Sequence, residues 1–178
     1  MTLTKTYALE LMAEAVNLPH GNYVLALSVE TVMEKCNGVG AEWMEHVKLW
    51  GLNKTLLQFA NEVYSWALPA TVRHDVRYAV GGTEEMRKND DKCFLEDCLY
   101  IADRLYAGEH WYNPMRYVRY IHRKGQARRM YVLLRAFGHR AYNFDNAADA
   151  EESAWLESEL AKEAEAEYIE KLPAEETK

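Results

Sequence analysis

A mainly α fold is predicted by three observations. Apolar residues recur at helical spacing, most clearly in Phe94, Leu95, Cys98, Ala102 and Leu105, which continue a stripe opened by Asp91. Gly81-Gly82-Thr83 stands between two such segments as a tight turn and a helix N-cap, which predicts an antiparallel helix pair. A chain of 178 residues with 49% hydrophobic content is enough for one compact domain with a tail.

The elements follow in order. Residues 4–18 predict a helix that ends before Pro19, with Leu11, Met12, Ala15 and Val16 as its stripe. Residues 23–35 are apolar and β-branched and fit strand or helix, with helix favoured from about residue 28 because a loop must follow. A short helix is expected at 41–48. A longer one follows at 53–67, with Leu56, Leu57, Ala60, Val63, Tyr64 and Ala67 on its face. The paired helices are 68–80 and 84–106. Gly108 to Pro114 is an aromatic connector, and helices follow at 115–123 and 126–137, with Gly138 as a C′ residue. A last helix is expected over 147–171, inside an acidic segment that begins at residue 145.

The chemistry concentrates at His74-Asp75. Helical neighbours point about 100° apart, so these two can serve different sites. Asp91 heads an otherwise apolar stripe, and a buried carboxylate needs a partner. An imidazole N–H from His74 is a natural one, and it leaves the other ring nitrogen free to act as a base on water. Upstream, Cys36-Asn37-Gly38-Val39-Gly40 can turn sharply and present carbonyls inward, and a hard cation takes such oxygens together with a carboxylate like that of Asp75. The plainer alternative is a helical hairpin with a solvated His-Asp pair, a salt-bridged Asp91 and an ordinary glycine turn.

Together these residues resemble the phospholipase A2 superfamily in its bacterial and phage branch. The likeness rests on Asn37-Gly38-Val39-Gly40, Leu49-Trp50-Gly51-Leu52, and His74-Asp75-x-x-Tyr78 running into Gly81. Asp91-x-x-Phe94-Leu95-Glu96-Asp97 and Tyr131 through Gly138 to Tyr142 also contribute, so the likeness spans roughly residues 36 to 144. It implies a phospholipase A2-like antiparallel helix pair within residues 1–144, followed by the acidic helical tail 145–178. It implies His74 as the base, Asp91 as its orienting partner, and a calcium ion held by Asp75 with the carbonyls of Cys36, Gly38 and Gly40. The Gly38 N–H and the ion would stabilise the oxyanion formed at an ester carbonyl, and Tyr78, Trp43, Arg128 and Arg129 are expected on the substrate side. The chain departs from the family at Thr71, where relatives carry a cysteine, and at Val39, so the disulfide that ties the loop to the helix is not expected.

Charge is segregated. Residues 116–140 carry eight basic side chains and no acidic one, whereas 145–178 carry twelve acids and three lysines. Solvated helix faces are one reading. The sharper one is a basic surface for phosphate-bearing partners, with anionic lipid headgroups ahead of nucleic acid. Trp155, Leu156, Leu160, Ala164 and Tyr168 give the tail one apolar stripe, which can dock on the domain or on a protein partner. The cluster of Tyr106, His110, Trp111, Tyr112, Tyr117 and Tyr120 is expected mostly in core and groove, or at a membrane interface if exposed. Three cysteines at irregular spacing point to core thiols in a reducing compartment rather than to a disulfide framework. With no signal pattern and no long apolar run, the expected setting is a cytoplasm, or release by lysis. Two functions remain: a calcium-dependent phospholipid ester hydrolase, and a catalytically silent scaffold acting as a protein-binding inhibitor or structural component.

Overall fold

The computed structural model describes residues 4–36 and 64–144. Those residues form five α-helices joined by short 3₁₀ turns, and no strand occurs among them. The mainly α expectation therefore holds. The expected helices at 41–48 and 147–171, and most of that at 53–67, lie outside the described residues.

Helix α1 (Lys5–Ala15) starts where the Thr4 hydroxyl accepts from the Tyr7 N–H at 3.3 Å, and it buries Ala8, Leu11 and Ala15. It stops three residues short of the expected end. Pro19 disfavours helix at the residue before it, and the Asn17 side chain turns back to the Ala13 carbonyl at 2.7 Å. The ambiguous stretch resolves into a 3₁₀ segment, Gly21–Ala26, and helix α2 (Val29–Lys35), which is capped by Ser28.

Helix α3 (Leu68–Val80) carries Pro69 in its first turn, where a missing N–H costs nothing. Between Leu68 and Tyr78 every residue except Asp75 is buried. The reason is that α3 lies between two cores. Val72 and Val76 join Leu11, Val24 and Val32 on one side. Ala70 joins Phe94, Cys98, Ala127 and Met130 on the other.

The Gly81-Gly82 turn has positive φ at both residues, and Thr83 caps helix α4 (Glu84–Gly108). A strap from Gly138 to Phe144 closes over this turn. Gly82 donates to the Asn143 carbonyl at 2.9 Å, and Asn143 donates to the Tyr78 carbonyl at 3.2 Å. A Cβ at Gly81 would stand 1.6 Å from the Asn143 oxygen, so the strap requires glycine there.

The two helices expected at 115–123 and 126–137 are one, α5 (Met115–Phe137). Gly125 alone does not break it, since glycine inside a helix costs only about 1 kcal/mol against alanine. Gly138 does not act as a left-handed C′ residue, because its backbone is right-handed helical (φ −61°). Its small size is used elsewhere: a Cβ there would stand 2.5 Å from the Tyr78 hydroxyl.

Helices α4 and α5 run on as a hairpin beyond the body of the molecule. The last buried residue on α4 is Ala102 and the first on α5 is Gln126, and none between them is buried. Leu105, expected in the core stripe, is therefore exposed. The aromatic connector lies at the tip of this arm, with Trp111 84% exposed and Tyr112 stacked on His110.

Candidate functional site around His74 and Asp91

Across the α3–α4 pair, His74 and Asp91 face each other. His74 Nε2 lies 3.6 Å from Asp91 Oδ1, within ion-pair range but past hydrogen-bond distance. His74 Nδ1 lies 3.4 Å from Asp75 Oδ1. The ring packs against Tyr78 and Phe94 with centroids 4.2 Å and 4.8 Å away. Burial alone would lower the imidazole pKa, but the Asp75 and Asp91 carboxylates outweigh it and raise it above the usual 6.5.

Asp91 is fully buried and has partners the sequence did not suggest. Tyr78, expected on the substrate side, is buried and donates its hydroxyl to Asp91 Oδ1. Arg135 Nη1 donates to Oδ2 at 2.8 Å, and Arg87 Nη1 does so at 3.3 Å. Burial acts to raise the Asp91 pKa, yet His74, Tyr78 and Arg135 together hold it below the ordinary aspartate value. Glu84 ties the two arginines together, at 2.8 Å to Arg87 and 3.4 Å to Arg135, and the Arg87 guanidinium lowers its pKa to about 2. A trace of Arg87 was present in the sequence, since it stands four residues before Asp91 on one helix face. Arg135 lies 44 residues away, and no local pattern points to it.

A second ion cluster lies beside the first. Asp90 is buried between Arg77 Nε at 3.2 Å and Arg73 Nη2 at 3.3 Å, and Tyr142 donates to its other oxygen at 3.5 Å. Neighbouring carboxylates on α4 thus serve different arginine pairs, and α3 is fixed in register by both.

The Asp75 side chain is only 13% exposed, and its charge acts on the Cys36 thiol at the end of α2. Cys36 Sγ donates to the Val72 carbonyl at 3.5 Å. Burial, with the Asp75 charge, pushes the Cys36 thiol well up. Cys36 therefore reaches α3 close to Asp75. Gly38, Gly40 and Trp43 lie outside the described residues. Among the described residues no three His, Cys, Asp or Glu side chains are grouped to hold a metal ion. All three cysteines are free and buried.

Much of the expected basic strip is neutralised within the arm. Glu109 pairs with Arg119 and Arg123, Asp103 with Lys124, and Arg135 belongs to the Asp91 cluster. Arg128 and Arg129 make no ion pair among the described residues. They flank an open groove of about 350 Å³ completed by Tyr64, Val132 and Leu133. Arg128 stands two turns before Arg135, about 10 Å along the axis of α5.

No protein-family profile, no curated protein and no solved structure matches this chain. Among the described residues, no helix is long and apolar enough to cross a membrane.

Proposed function

We propose that this chain is a calcium-dependent, phospholipase A2-like hydrolase of glycerophospholipid esters. The observation that carries the reading is the His74 ring held with Nε2 toward Asp91, whose carboxylate Tyr78 anchors from the same helix as His74. The resemblance in the His-Asp-x-x-Tyr and Asp-x-x-Phe segments supports it. In this reading Asp75, engaged with calcium, would release Nδ1 of His74, 3.4 Å from its carboxylate, and that nitrogen then removes a proton from water as the water oxygen attacks the ester carbonyl. The acyl–oxygen bond then breaks, and the imidazolium returns its proton to the leaving alcohol. Asp91 holds the ring and balances its transient charge. Asp75 and the carbonyls of Cys36, Gly38 and Gly40 would hold calcium, which supplies positive charge for the substrate phosphate and the developing oxyanion. The Gly38 N–H adds a donor there, Trp43 lines the substrate side, and Arg128 and Arg129 draw the protein to anionic lipid.

A second reading has its own observation. His74 is 5% exposed, and Asp91 is shared with two arginines, as in a purely structural ion cluster. This is the catalytically silent scaffold, an inhibitor or structural component that binds a protein partner. Fatty-acid release from anionic phosphatidylglycerol vesicles, with and without calcium, separates the two. The hydrolase releases fatty acid only with calcium, and His74→Gln removes the release while leaving the circular dichroism spectrum unchanged. Charge reversal at Arg128 and Arg129 weakens vesicle binding, less so as salt rises. Wild-type protein that releases nothing from any vesicle composition selects the scaffold.

A further inference from the structure

The outward side of α5 carries exposed apolar residues, interrupted by Gly125 and Arg128, although its inward side already fills a core. Ala127 and Met130 are buried inward. On the other side Tyr117 and Ile121 lead through Gly125 and Arg128 to Val132, one stripe at helical spacing. Tyr117 is 60% and Val132 62% exposed, and Ile121 and Val118 are exposed as well. The stripe runs for fifteen residue steps, about 22 Å. An apolar face this long on a helix whose core face is already used marks an interaction surface. Over 115–137 the helix carries seven basic side chains and no acidic one. A second copy laid on this face would meet the same charge sign.

The chain holds a segment of complementary chemistry. Residues 145–178 carry twelve acids against three lysines, and Leu156, Leu160 and Ala164 recur every four residues with Trp155 beside them. From Trp155 to Ala164 is nine steps, about 14 Å if helical, close to the distance from the groove to Ile121 along α5. Connectivity favours the match. Phe144, the last described residue, stacks on Tyr142 and His139 just past the end of α5. Even with a helix from residue 147, residues 145–154 reach roughly 15 Å, enough to bring Trp155 back over Arg128 and Val132.

We propose that the acidic segment lies antiparallel along the outer stripe of α5, with Trp155 in the groove between Arg128, Arg129, Val132 and Tyr64, and Ala164 near Ile121. The segment covers the two arginines that have no ion pair within the described residues, so an anionic partner must displace it to reach them. The proposal is independent of hydrolysis and of His74.

The test uses the full chain with a nitroxide on Ser153→Cys, the three native thiols being buried. In dilute isotope-labelled protein, the amide signals of Arg128 to Leu133 should lose intensity relative to the reduced label, while those of α1 keep theirs. Rising salt should weaken the loss. Arg128→Glu with Arg129→Glu should remove it, and adding Glu151→Lys with Glu152→Lys should restore part of it. Because the labelled chain with native α5 is measured first, a charge variant that fails to fold does not decide the outcome. No loss at α5 overturns the proposal, whether the groove is empty or filled by residues just before Tyr64. Loss only between labelled and unlabelled molecules assigns the stripe to a second copy and also overturns it. Stripe signals that respond to phosphatidylglycerol vesicles but not to the label assign the stripe to lipid, which overturns it equally.

Discussion

Asp91, itself out of water, accepts from Tyr78, Arg87 and Arg135 and stands 3.6 Å from His74. A neutral side chain there would leave two guanidinium groups to share the single charge of Glu84. Breaking a buried ion cluster by removing one partner costs about 3–5 kcal/mol. Asp91→Asn should lose stability on that scale in urea titration, under either functional reading. Tyr78→Phe is milder, removing one buried donor at about 1–3 kcal/mol. His74 adds a pH dependence. Its pKa is raised on folding, so its contribution is complete below 6.5 and fades as pH rises through the higher folded value. Urea midpoints measured from mildly acidic to alkaline pH should decline over that window, and His74→Gln should lack this part of the decline. If His74 is the base, activity should rise with pH across the same folded-state pKa, since only the neutral ring accepts a proton.

Helix α5 shows what sequence periodicity conveys and where it stops. Gly125 suggested a break, yet its neighbours on both sides pack on α4 and hold the helix through it. A methyl at Gly125 would meet only Arg129 Nη2, at 3.6 Å. Gly125→Ala should therefore raise stability by about 1 kcal/mol, read as a higher melting temperature. Gly81→Ala should do the opposite and more strongly. Its φ of +85° strains a side chain, and the Cβ would overlap the Asn143 carbonyl. The helix pair, its Gly-Gly-Thr turn and the burial of Asp91 were legible because each leaves a local mark: a period, a turn dipeptide, a carboxylate on an apolar stripe. The early end of α1 was half-legible in Pro19. The contact of Arg135 with Asp91 and the strap that fixes Tyr78 span 44 to 65 residues, and no local pattern carries those. The exposure of Leu105 was illegible for a related reason: period tells which face a residue takes, not whether another element comes to cover it.

At the scale of the whole molecule, His20 ties the N-terminal layer to α4. Its Nε2 lies 2.8 Å from Glu96, and its backbone N–H donates to Asp97 at 3.1 Å. Cys93, then Glu96 and Asp97, raise its pKa to about 9 against the opposing effect of burial. This stabilisation is present below 6.5 and lost as pH rises through about 9. His20→Gln should flatten unfolding free energy across that alkaline window, measured by urea titration. The arm carries a further consequence. Helices α4 and α5 are continuous from the Asp91 cluster to the Trp111 tip, but only their inner halves bury side chains. Opening the outer half exposes little apolar surface, whereas opening the inner half dismantles both cores. Backbone amides near Tyr106 and Tyr120 should therefore exchange with deuterium through small local openings, insensitive to low urea. Those near Asp91 and Met130 should wait for global unfolding. One unbroken pair of helices thus spans two cooperative units, and the boundary falls near Ala102 and Gln126 rather than at any turn.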